Sequence, residues 1–381
     1  MKRYKLKELS LSKLEYGSGA AACEYDGKTR YVRITDIDNE GNLGTDVVSP
    51  NSVDDKYLLN DGDVLFARTG ATVGKTYLYR SSAGRCIYAG FLIRVVPNQE
   101  IIRPDYLYYF TKSPQYKGFI QSSMKVVAQP NINAKQYGDL EFNVPSLEEQ
   151  DLIIKKLNAI SSAIILRRTE LIRLDELIKA RFVEMFGDIN INDKGWTIQP
   201  LGELCTIVRG GSPRPIEQFL GGDVPWIKIG DATEGESIYL HSTKEHIIQE
   251  GVKKSRLVKS GSLIFANCGV SLGFARIIKF DGCIHDGWLA MEDIDERIDK
   301  VFLLQSLNQM TEHFRTIAPA GTQPNLNTAI MKAYKQIIPP MELQKQYIDF
   351  VAQTDKSKVA VQAALDKAQL LFDSLMQEYF G

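Results

Sequence analysis

The chain has 381 residues, of which 44% are hydrophobic and 24% are charged, and its formal net charge is −1 at pH 7. This length predicts two or three domains, and no apolar run is long enough to cross a membrane. The basic N-terminus lacks the apolar core and cleavage site of a secretory signal, which favours a cytoplasmic protein. Because the net charge is near zero, any surface that binds a polyanion must be local.

Potential metal ligands and nucleophiles are scattered along the chain. The cysteines are odd in number and never form a CxxC pair, so we expect reduced thiols and neither a disulfide framework nor a zinc site. The histidines show no metal-ligand spacing, so no metal or catalytic role is predicted for them. These residues are Cys23, Cys86, Cys205, Cys268 and Cys283, and His241, His246, His285 and His313.

Residues 1–146 form the first predicted domain and are expected to be mostly β-strand. Short runs such as YVRIT, DVLFA, TYLYR and FLIRVV are rich in β-branched and aromatic residues, and Gly, Asn, Asp and Pro separate them. One helix, from Asp105 to Ser122, is expected to interrupt these strands.

Residues 147–187 are predicted to form one long helix. It begins after Pro145, and neither Pro nor Gly occurs again before the pair Phe186-Gly187. Apolar residues recur at heptad-like intervals, which predicts one apolar stripe. About 38 residues at 1.5 Å each would extend roughly 57 Å, which is more than a small domain needs. The stripe consists of Ile153, Leu157, Ile160, Leu171, Leu174 and Ile178.

The chain then repeats the same order of segments. After a linker at 188–195, residues 196–340 match the first β-rich region at an offset of about 195 residues, and residues 341–381 match the first long helix. LLNDGDVLFARTG is echoed by LVKSGSLIFANCG, and GRCIYAGFLIRV by DGCIHDGWLAME. A helix from Lys300 to Ile317 corresponds to the one predicted at 105–122. The second stripe consists of Tyr347, Val351, Leu365, Phe372 and Leu375.

Two long helices of equal length are suited to pair with each other. Antiparallel pairing predicts an α+β tandem repeat with pseudo-two-fold symmetry, in which a coiled-coil helix pair separates two mostly-β domains. The alternative is that each helix folds back on its own β-rich domain.

The repeated order of short motifs resembles the specificity subunits of type I restriction-modification systems. The matching pieces are the stretch from Gly62 to Lys75, the QPNIN segment from Gln129 to Asn133 with its echo from Gln323 to Asn327, and the helix entries Pro145 to Gln150 and Pro340 to Gln344. Each piece alone is a weak signal. Their order, which occurs twice and covers the whole chain, is specific.

The resemblance implies both a function and a set of partners. Each β-rich region would be a target-recognition domain that reads one half of a bipartite site in double-stranded DNA, and the helices would space the domains and dock methyltransferases. The partners would be two modification subunits that bind S-adenosylmethionine and two restriction subunits, the motor-nucleases, that use ATP and Mg²⁺. This chain itself would contain no catalytic residue, no metal and no cofactor.

Local basic stretches supply candidate DNA contacts. Residues 64–99 and 251–280 contain several Lys and Arg but no Asp or Glu, which favours contact with phosphates or bases. The alternative is that these cations are solvated, or are neutralised by acids that folding brings close. The candidates are Arg68, Thr69, Lys75, Arg80, Arg85, Lys125, Lys228, Lys253, Lys254, Arg256, Asn267 and Arg276.

Two other motifs favour a structural role. GATVGKT has one residue too few between its glycines for a phosphate-binding loop of the P-loop type, and the second copy replaces Lys75 and Thr76 with Phe274 and Ala275. The amides Gln129, Asn131, Asn133, Gln323, Asn325 and Asn327 could bind adenine edges, but they occur in both copies. Residues shared by domains that read different sequences cannot encode the difference, so turn formation and helix capping are expected.

Two other function classes stay open from the sequence. A stand-alone regulator could use the same repeat to bind an operator without enzymatic partners. A complete nuclease or methyltransferase with degenerate motifs is the other possibility, but the [DNS]PP[YFW] tetrapeptide of aminomethyltransferases is missing, since Pro339-Pro340 occurs within IPPM.

Overall fold

The computed structural model describes residues 2–124, 131–233, 238–269, 271–319 and 325–381, which form two compact units. Unit 1 comprises Met1–Thr169 and Gln362–Gly381, and unit 2 comprises Glu170–Val361. Each unit combines short strands with helices, and each contains one half of both long helices. The predicted α+β tandem repeat is confirmed.

The first copy of the repeat contains mostly short strands, followed by helices and a final strand before the first long helix. Its elements are β1 (Lys2–Lys5), β2 (Glu15–Tyr16), β3 (Ala22–Glu24), β4 (Arg30–Val32), β5 (Val48–Pro50), β6 (Val64–Ala67), β7 (Thr76–Leu78), β8 (Cys86–Tyr88), β9 (Leu92–Val95), α1 (Pro104–Phe110), α2 (Pro114–Met124), α3 (Ala134–Gly138), β10 (Glu141–Val144) and α4 (Leu147–Phe186).

The second copy follows the same plan with two additional short helices. Its elements are β11 (Thr197–Pro200), α5 (Leu201–Leu204), β12 (Thr206–Arg209), β13 (Leu220–Ile227), β14 (Tyr239–Leu240), β15 (Glu245–Ile247), α6 (Gln249–Val252), β16 (Arg256–Val258), β17 (Leu263–Ala266), β18 (Ala275–Ile278), β19 (Gly282–Ile284), β20 (Trp288–Glu292), α7 (Lys300–Gln309), α8 (Thr311–Ile317), α9 (Thr328–Ala333), β21 (Lys335–Ile338) and α10 (Met341–Phe380).

The sheets of the two units correspond. In unit 1 the central sheet has the strand order β2-β9-β6-β7, and in unit 2 the order is β12-β20-β17-β18-β14. A separate antiparallel pair, β1 with β10 and β11 with β21, closes each unit next to the start of a long helix. The central strands β6 and β17 are fully buried, as their continuous apolar runs VLFA and LIFA predict.

The long helices pair in antiparallel orientation, as their equal lengths predicted. In unit 1, Lys156 near the start of α4 donates a hydrogen bond to the hydroxyl of Tyr379 near the end of α10, at 3.0 Å. In unit 2, Tyr347 near the start of α10 donates to the carbonyl of Ile178 near the end of α4, at 3.3 Å. The opposite order of these contacts along the two helices defines the antiparallel pair.

Each long helix ends with a phenylalanine in a hydrophobic core. Phe186 is fully buried in unit 2 and packs against Phe302 of α7 and Tyr347 of α10. Phe380 is buried in unit 1 and packs against Tyr106 and Phe110 of α1. The repeated Phe-Gly pair in the sequence therefore marks the point where each helix is anchored at its C-terminal end.

A buried glutamine anchors the start of each long helix. The Gln150 side chain accepts a hydrogen bond from the Arg103 amide and donates to the Ile101 and Pro145 carbonyls, at 2.8, 2.9 and 3.0 Å. Gln344 makes the equivalent three bonds in unit 2, each at 2.8 Å. These bonds satisfy buried backbone groups next to α1 and α7, which explains why both helix entries contain this residue.

The prediction of one uninterrupted helix before each QPN segment is wrong. Residues 105–122 are divided into α1 and α2, and residues 300–317 into α7 and α8. In the first copy Pro114 lacks the amide that would continue α1 and disfavours helical geometry at the residue before it. In the second copy the break is at Met310, whose ψ of 10° departs from helical geometry.

One part of the letter-by-letter alignment of the two copies also needs correction. The sequences align Cys86 with Cys283 and Gly90 with Gly287, but strand pairing places the chain one residue differently. Tyr31 faces Ile87 in unit 1, whereas the matching Trp226 faces Cys283 in unit 2. The turn before β8 is longer than the turn before β19. Backbone pairing and burial fix the register of a strand, so Ile87 and not Cys86 is the structural counterpart of Cys283.

Candidate nucleic-acid interface

The same end of the central sheet is tightly closed in both units by a glycine. A Cβ atom on Gly17, after β2, would overlap the carbonyl oxygen of Tyr88, and a Cβ atom on Gly210, after β12, would overlap that of His285. Only glycine allows the two backbone segments to approach this closely. The residues that precede these glycines, Tyr16 and Arg209, therefore occupy equivalent positions at the sheet end.

Arg68 lies at this end of unit 1, directly after β6. Its backbone is held on both sides, because its amide donates to the Phe91 carbonyl at 3.1 Å and its carbonyl accepts from the Ile132 amide at 2.9 Å. Its Nε donates to Asn131 Oδ1 at 3.3 Å, and its guanidinium lies 4.6 Å from the centre of the Tyr16 ring. The side chain is half-buried and ordered by neutral groups.

Unit 2 carries different side chains on the same backbone framework. Asn267 replaces Arg68 after the buried strand; it is fully buried and donates to Asn325 Oδ1 at 3.1 Å and to the Leu326 carbonyl at 3.2 Å. Arg209, at the position of Tyr16, is exposed, and its Nε donates to the Asp286 carbonyl at 3.1 Å. At this end of the sheet, the cation of unit 1 is Arg68, directly after β6. The cation of unit 2 is Arg209, the last residue of β12.

Asp286 also holds the loop that follows Arg209. Its carboxylate accepts hydrogen bonds from the Ser212 hydroxyl at 2.7 Å and from Arg214 at 3.4 Å. The neighbouring His285 is half-buried, and burial lowers its pKa below 6.5. Its Nδ1 accepts a hydrogen bond from the Gly287 amide at 2.6 Å, which favours the neutral ring.

Sequence reasoning missed Tyr16 and Arg209. Both lie outside the acid-free stretches on which the candidate cations were chosen. The signal that could have identified them is the pair YG in the first copy and RG in the second, where an unlike residue precedes a shared glycine.

Two of the predicted DNA contacts in unit 1 form ion pairs on the surface. Arg80 binds Asp61 at 3.3 Å and Asp105 at 2.5 Å, and Arg85 binds Asp55 at 3.0 Å. All three acids lie outside residues 64–99, so folding brings them to cations that the sequence shows without acidic neighbours. Surface pairs of this kind contribute little to stability, about 0–1 kcal/mol, but they lower the local positive charge.

Three other predicted contacts are bound by neighbouring groups of the protein. Lys75 donates to the Ile37 carbonyl at 3.0 Å, and Lys228 is paired with Glu245. Arg276 donates to the Ala275 carbonyl at 2.8 Å, and burial lowers its pKa to about 10.

Three exposed cations of unit 2 lie around β16. Lys253, Lys254 and Arg256 are all exposed, and none of them has an ion pair within the described part of the chain. Lys254 lies 4.6 Å from the centre of the Phe219 ring. In unit 1, Thr69 continues from Arg68 and forms an isolated bridge with Asn131. Lys125 lies outside the described residues.

Two of the amides cap helices, as predicted. Asn133 accepts from the Gln136 amide at the start of α3, and Asn327 accepts from the Ile330 amide at the start of α9, both at 2.9 Å. Asn131 and Asn325 instead bind the residue that follows the buried strand, Arg68 or Asn267. Gln129 and Gln323 lie outside the described residues.

The predicted helix stripes face the cores and the helix pair. Their buried members are Ile153, Leu157, Ile178, Tyr347 and Val351. Their half-buried members are Ile160, Leu171, Leu174, Leu365, Phe372 and Leu375. A different set of large apolar side chains on the same helices is exposed: Leu152, Ile165 and Leu166 in unit 1, with Leu370 and Leu371 of α10, and Ile172, Leu177 and Val183 in unit 2, with Val359 of α10.

The cysteines are free thiols. Burial raises the pKa of Cys86 to about 11 and that of Cys205 to about 12, which keeps both thiols protonated and unreactive near neutral pH. Among the described residues, no group of three His, Cys, Asp or Glu side chains is arranged to hold a metal ion. No helix in those residues combines the length and apolarity of a membrane span.

Comparison with known protein families decides the identity of this repeat. Residues 4–176 and 193–368 each match the family described as the type I restriction modification DNA specificity domain. The chain belongs to this family. It is a DNA-specificity subunit of a type I restriction-modification system. The subunit is non-catalytic, and the enzymatic activities of the system lie in partner subunits.

Relatives of this specificity subunit share little sequence but most of their length. The type I restriction enzyme StySPI specificity subunit of Salmonella potsdam is 21% identical over 378 residues, covering 92% of this chain and 81% of the relative. The MjaVIII specificity subunit of Methanocaldococcus jannaschii is 21% identical over 314 residues, covering 76% of this chain and 71% of the relative.

Solved structures share the fold of this subunit. The type I restriction-modification S subunit from M. genitalium superposes with a TM-score of 0.58 at 16% identity, covering 100% of this chain and 96% of that chain. A chain from a type I system studied for its complex assembly and conformational transition gives a TM-score of 0.62 at 18% identity, covering 100% and 97%. At these identities the comparison concerns the fold alone.

Proposed function

We propose that this specificity subunit reads a bipartite site in double-stranded DNA and directs adenine methylation and restriction by its partner subunits. The observation that carries the proposal is the repeat of one sheet framework with unlike side chains at the same end, Arg68 and Tyr16 in unit 1 and Asn267 and Arg209 in unit 2. Unlike side chains on a shared framework suit two different half-sites separated by an unread gap.

Within this proposal we retain six of the predicted DNA contacts. They are the cations Arg68, Lys253, Lys254 and Arg256, the neighbouring Thr69, and Lys125, which lies outside the described residues. The other candidates, Lys75, Arg80, Arg85, Lys228, Asn267 and Arg276, have protein partners described above, and we leave them out. Phosphate contacts by the exposed lysines would position the subunit, while contacts to base edges would select the sequence.

We assign a proposed role to each segment of the repeat. Residues 1–146 and 196–340 are the recognition domains, 147–187 and 341–381 are the spacer helices, and 188–195 is the linker. The exposed apolar side chains of the helices support docking of two modification subunits, because large exposed apolar residues mark protein interfaces. S-adenosylmethionine would be bound by those subunits, and ATP and Mg²⁺ by two motor-nuclease subunits. Since the substrate is cellular DNA, we propose a cytoplasmic location.

Sequencing that detects methylated bases tests the proposal. Cells expressing this chain with the modification subunit of its system are compared with cells that lack only this chain. We expect a bipartite methyladenine motif with a fixed gap that disappears with the chain. An unchanged methylome, with the methyltransferase shown to be active, would contradict the proposal and favour a stand-alone regulator.

A further inference from the structure

Arg68 presents an open hydrogen-bonding edge. Its Nε is engaged by Asn131, but no described residue accepts a hydrogen bond from its two terminal nitrogens. The Tyr16 ring that lies against the guanidinium is itself fixed, because its hydroxyl accepts a hydrogen bond from the Ala134 amide at 3.0 Å. The guanidinium is therefore oriented before any ligand binds.

Arg209 of unit 2 also has open terminal nitrogens, but its side chain is exposed. Its Nε is engaged by the Asp286 carbonyl, and its terminal nitrogens have no acceptor among the described residues. Asp286 is itself held by Ser212 and Arg214, so the group that anchors Arg209 is part of an ordered loop. Both arginines flank the first residues of the neighbouring strand, β9 in unit 1 and β20 in unit 2.

Two other arginines, one in each unit, use their guanidinium groups within the protein. Arg103 binds both oxygens of Asp151 through Nε and a terminal nitrogen, at 2.9 and 3.0 Å. Arg297 binds both oxygens of Asp295 and also Gln199, at 2.9, 2.8 and 2.9 Å. A guanidinium paired in this way no longer has both terminal nitrogens available for a ligand. This distinguishes Arg103 and Arg297 from Arg68 and Arg209.

We propose that Arg68 and Arg209 each read a guanine in the major groove, one in each half of the target. A free pair of terminal nitrogens on an oriented guanidinium matches the O6 and N7 acceptors of guanine, which arginine binds with two parallel hydrogen bonds. Anchoring through Nε lowers the entropy that the long side chain loses on binding. This assignment rests on the proposed function and adds the residue and the base to it.

The test is a methylome comparison of Arg68→Gln and Arg209→Gln in the full chain with its modification subunit. We expect each variant to lose guanine preference at one position in one half of the motif, by about 10- to 100-fold, while the other half keeps its sequence. Arg103→Gln and Arg297→Gln are matched controls, one in each unit, and should leave the motif unchanged.

Arg68→Lys and Arg209→Lys keep the positive charge but replace the two terminal nitrogens of the guanidinium with a single ammonium group. We expect the lysine variants to show the same relaxed position, because a point charge cannot reproduce two parallel bonds. An unchanged motif, or a weakening of methylation that is uniform over all sequences and restored by lysine, would overturn the proposal in favour of phosphate contact. If the wild-type chain produced no chain-dependent motif, the proposed function itself would fail, so the two failures are distinguishable.

Discussion

The two units share a framework and differ in the side chains at its end. In unit 1 an arginine after the buried strand lies against a tyrosine from the edge strand; in unit 2 the edge strand supplies the arginine and the buried strand is followed by an asparagine. Gly17 and Gly210 close both sheets in the same way. The comparison teaches that buried contacts keep the framework constant, while a few positions at the sheet end are free to change.

The shared contacts can be tested as a set. If the framework is equivalent in both units, a substitution in one unit and its counterpart in the other should have similar effects on stability. Substitutions at positions where the units differ should instead affect only one unit.

The largest effect is expected from the phenylalanines that end the long helices. Phe186→Ala and Phe380→Ala each remove a buried ring from an aromatic cluster, which should lower the free energy of unfolding by about 3–5 kcal/mol. Chemical denaturation of the full chain measures this change. Val183→Ala, an exposed site one turn before Phe186, is the control and should change it by about 0.5 kcal/mol or less. A large loss for only one of the two phenylalanines would break the comparison.

A smaller effect is expected from the glutamines at the helix starts. Gln150→Leu and Gln344→Leu keep a similar volume but leave buried backbone groups without partners, so each should cost about 1–3 kcal/mol. Thermal unfolding of the two variants measures the loss. Gln362→Leu, an exposed position on α10, controls for the change in side-chain chemistry. Equal stability of Gln150→Leu and wild type would show that the three hydrogen bonds do not stabilise unit 1.

The smallest effect concerns His285, which has Ala89 at the corresponding strand position of unit 1. The folded pKa of His285 lies below its unfolded value of about 6.5, so the unfolded chain binds the proton first as the pH falls. The stability associated with the neutral ring is complete above pH 6.5 and is lost as the pH falls towards the folded pKa. We therefore expect the melting temperature of His285→Ala to fall less than that of wild type when the pH is lowered from about 7.5 to about 5.5. Equal losses would contradict this role.

The framework was largely predictable because its signals are local and repeated. The long helices follow from stretches without Pro or Gly, and their pairing follows from equal length and a single apolar stripe. Asn133 and Asn327 were assigned as caps because both copies contain them. The break at Pro114 is also visible in the sequence, although the helical pattern on either side of it favoured one helix.

The candidate interface was only partly predictable, because it depends on neighbours distant in the chain. Arg80 and Arg85 are in a stretch without acids, yet Asp61, Asp105 and Asp55 meet them in the fold. Arg68 has Tyr16 and Asn131 as neighbours instead of acids, which sequence alone does not indicate. The shift of one residue between Cys86 and Cys283 has the same origin, because backbone pairing and not residue type sets the register.

The end of α10 belongs to unit 1, which affects when the core of unit 1 can be completed during synthesis of the chain. Unit 1 includes Gln362–Gly381, and Phe380 packs against Tyr106 and Phe110. The ribosome releases the first β-rich region long before it makes these residues, so the hydrophobic cluster of unit 1 stays incomplete until the second copy has been translated. Contacts between such distant residues form slowly. Until α10 has been made, the first β-rich region lacks the apolar partner that Phe380 supplies to Tyr106 and Phe110.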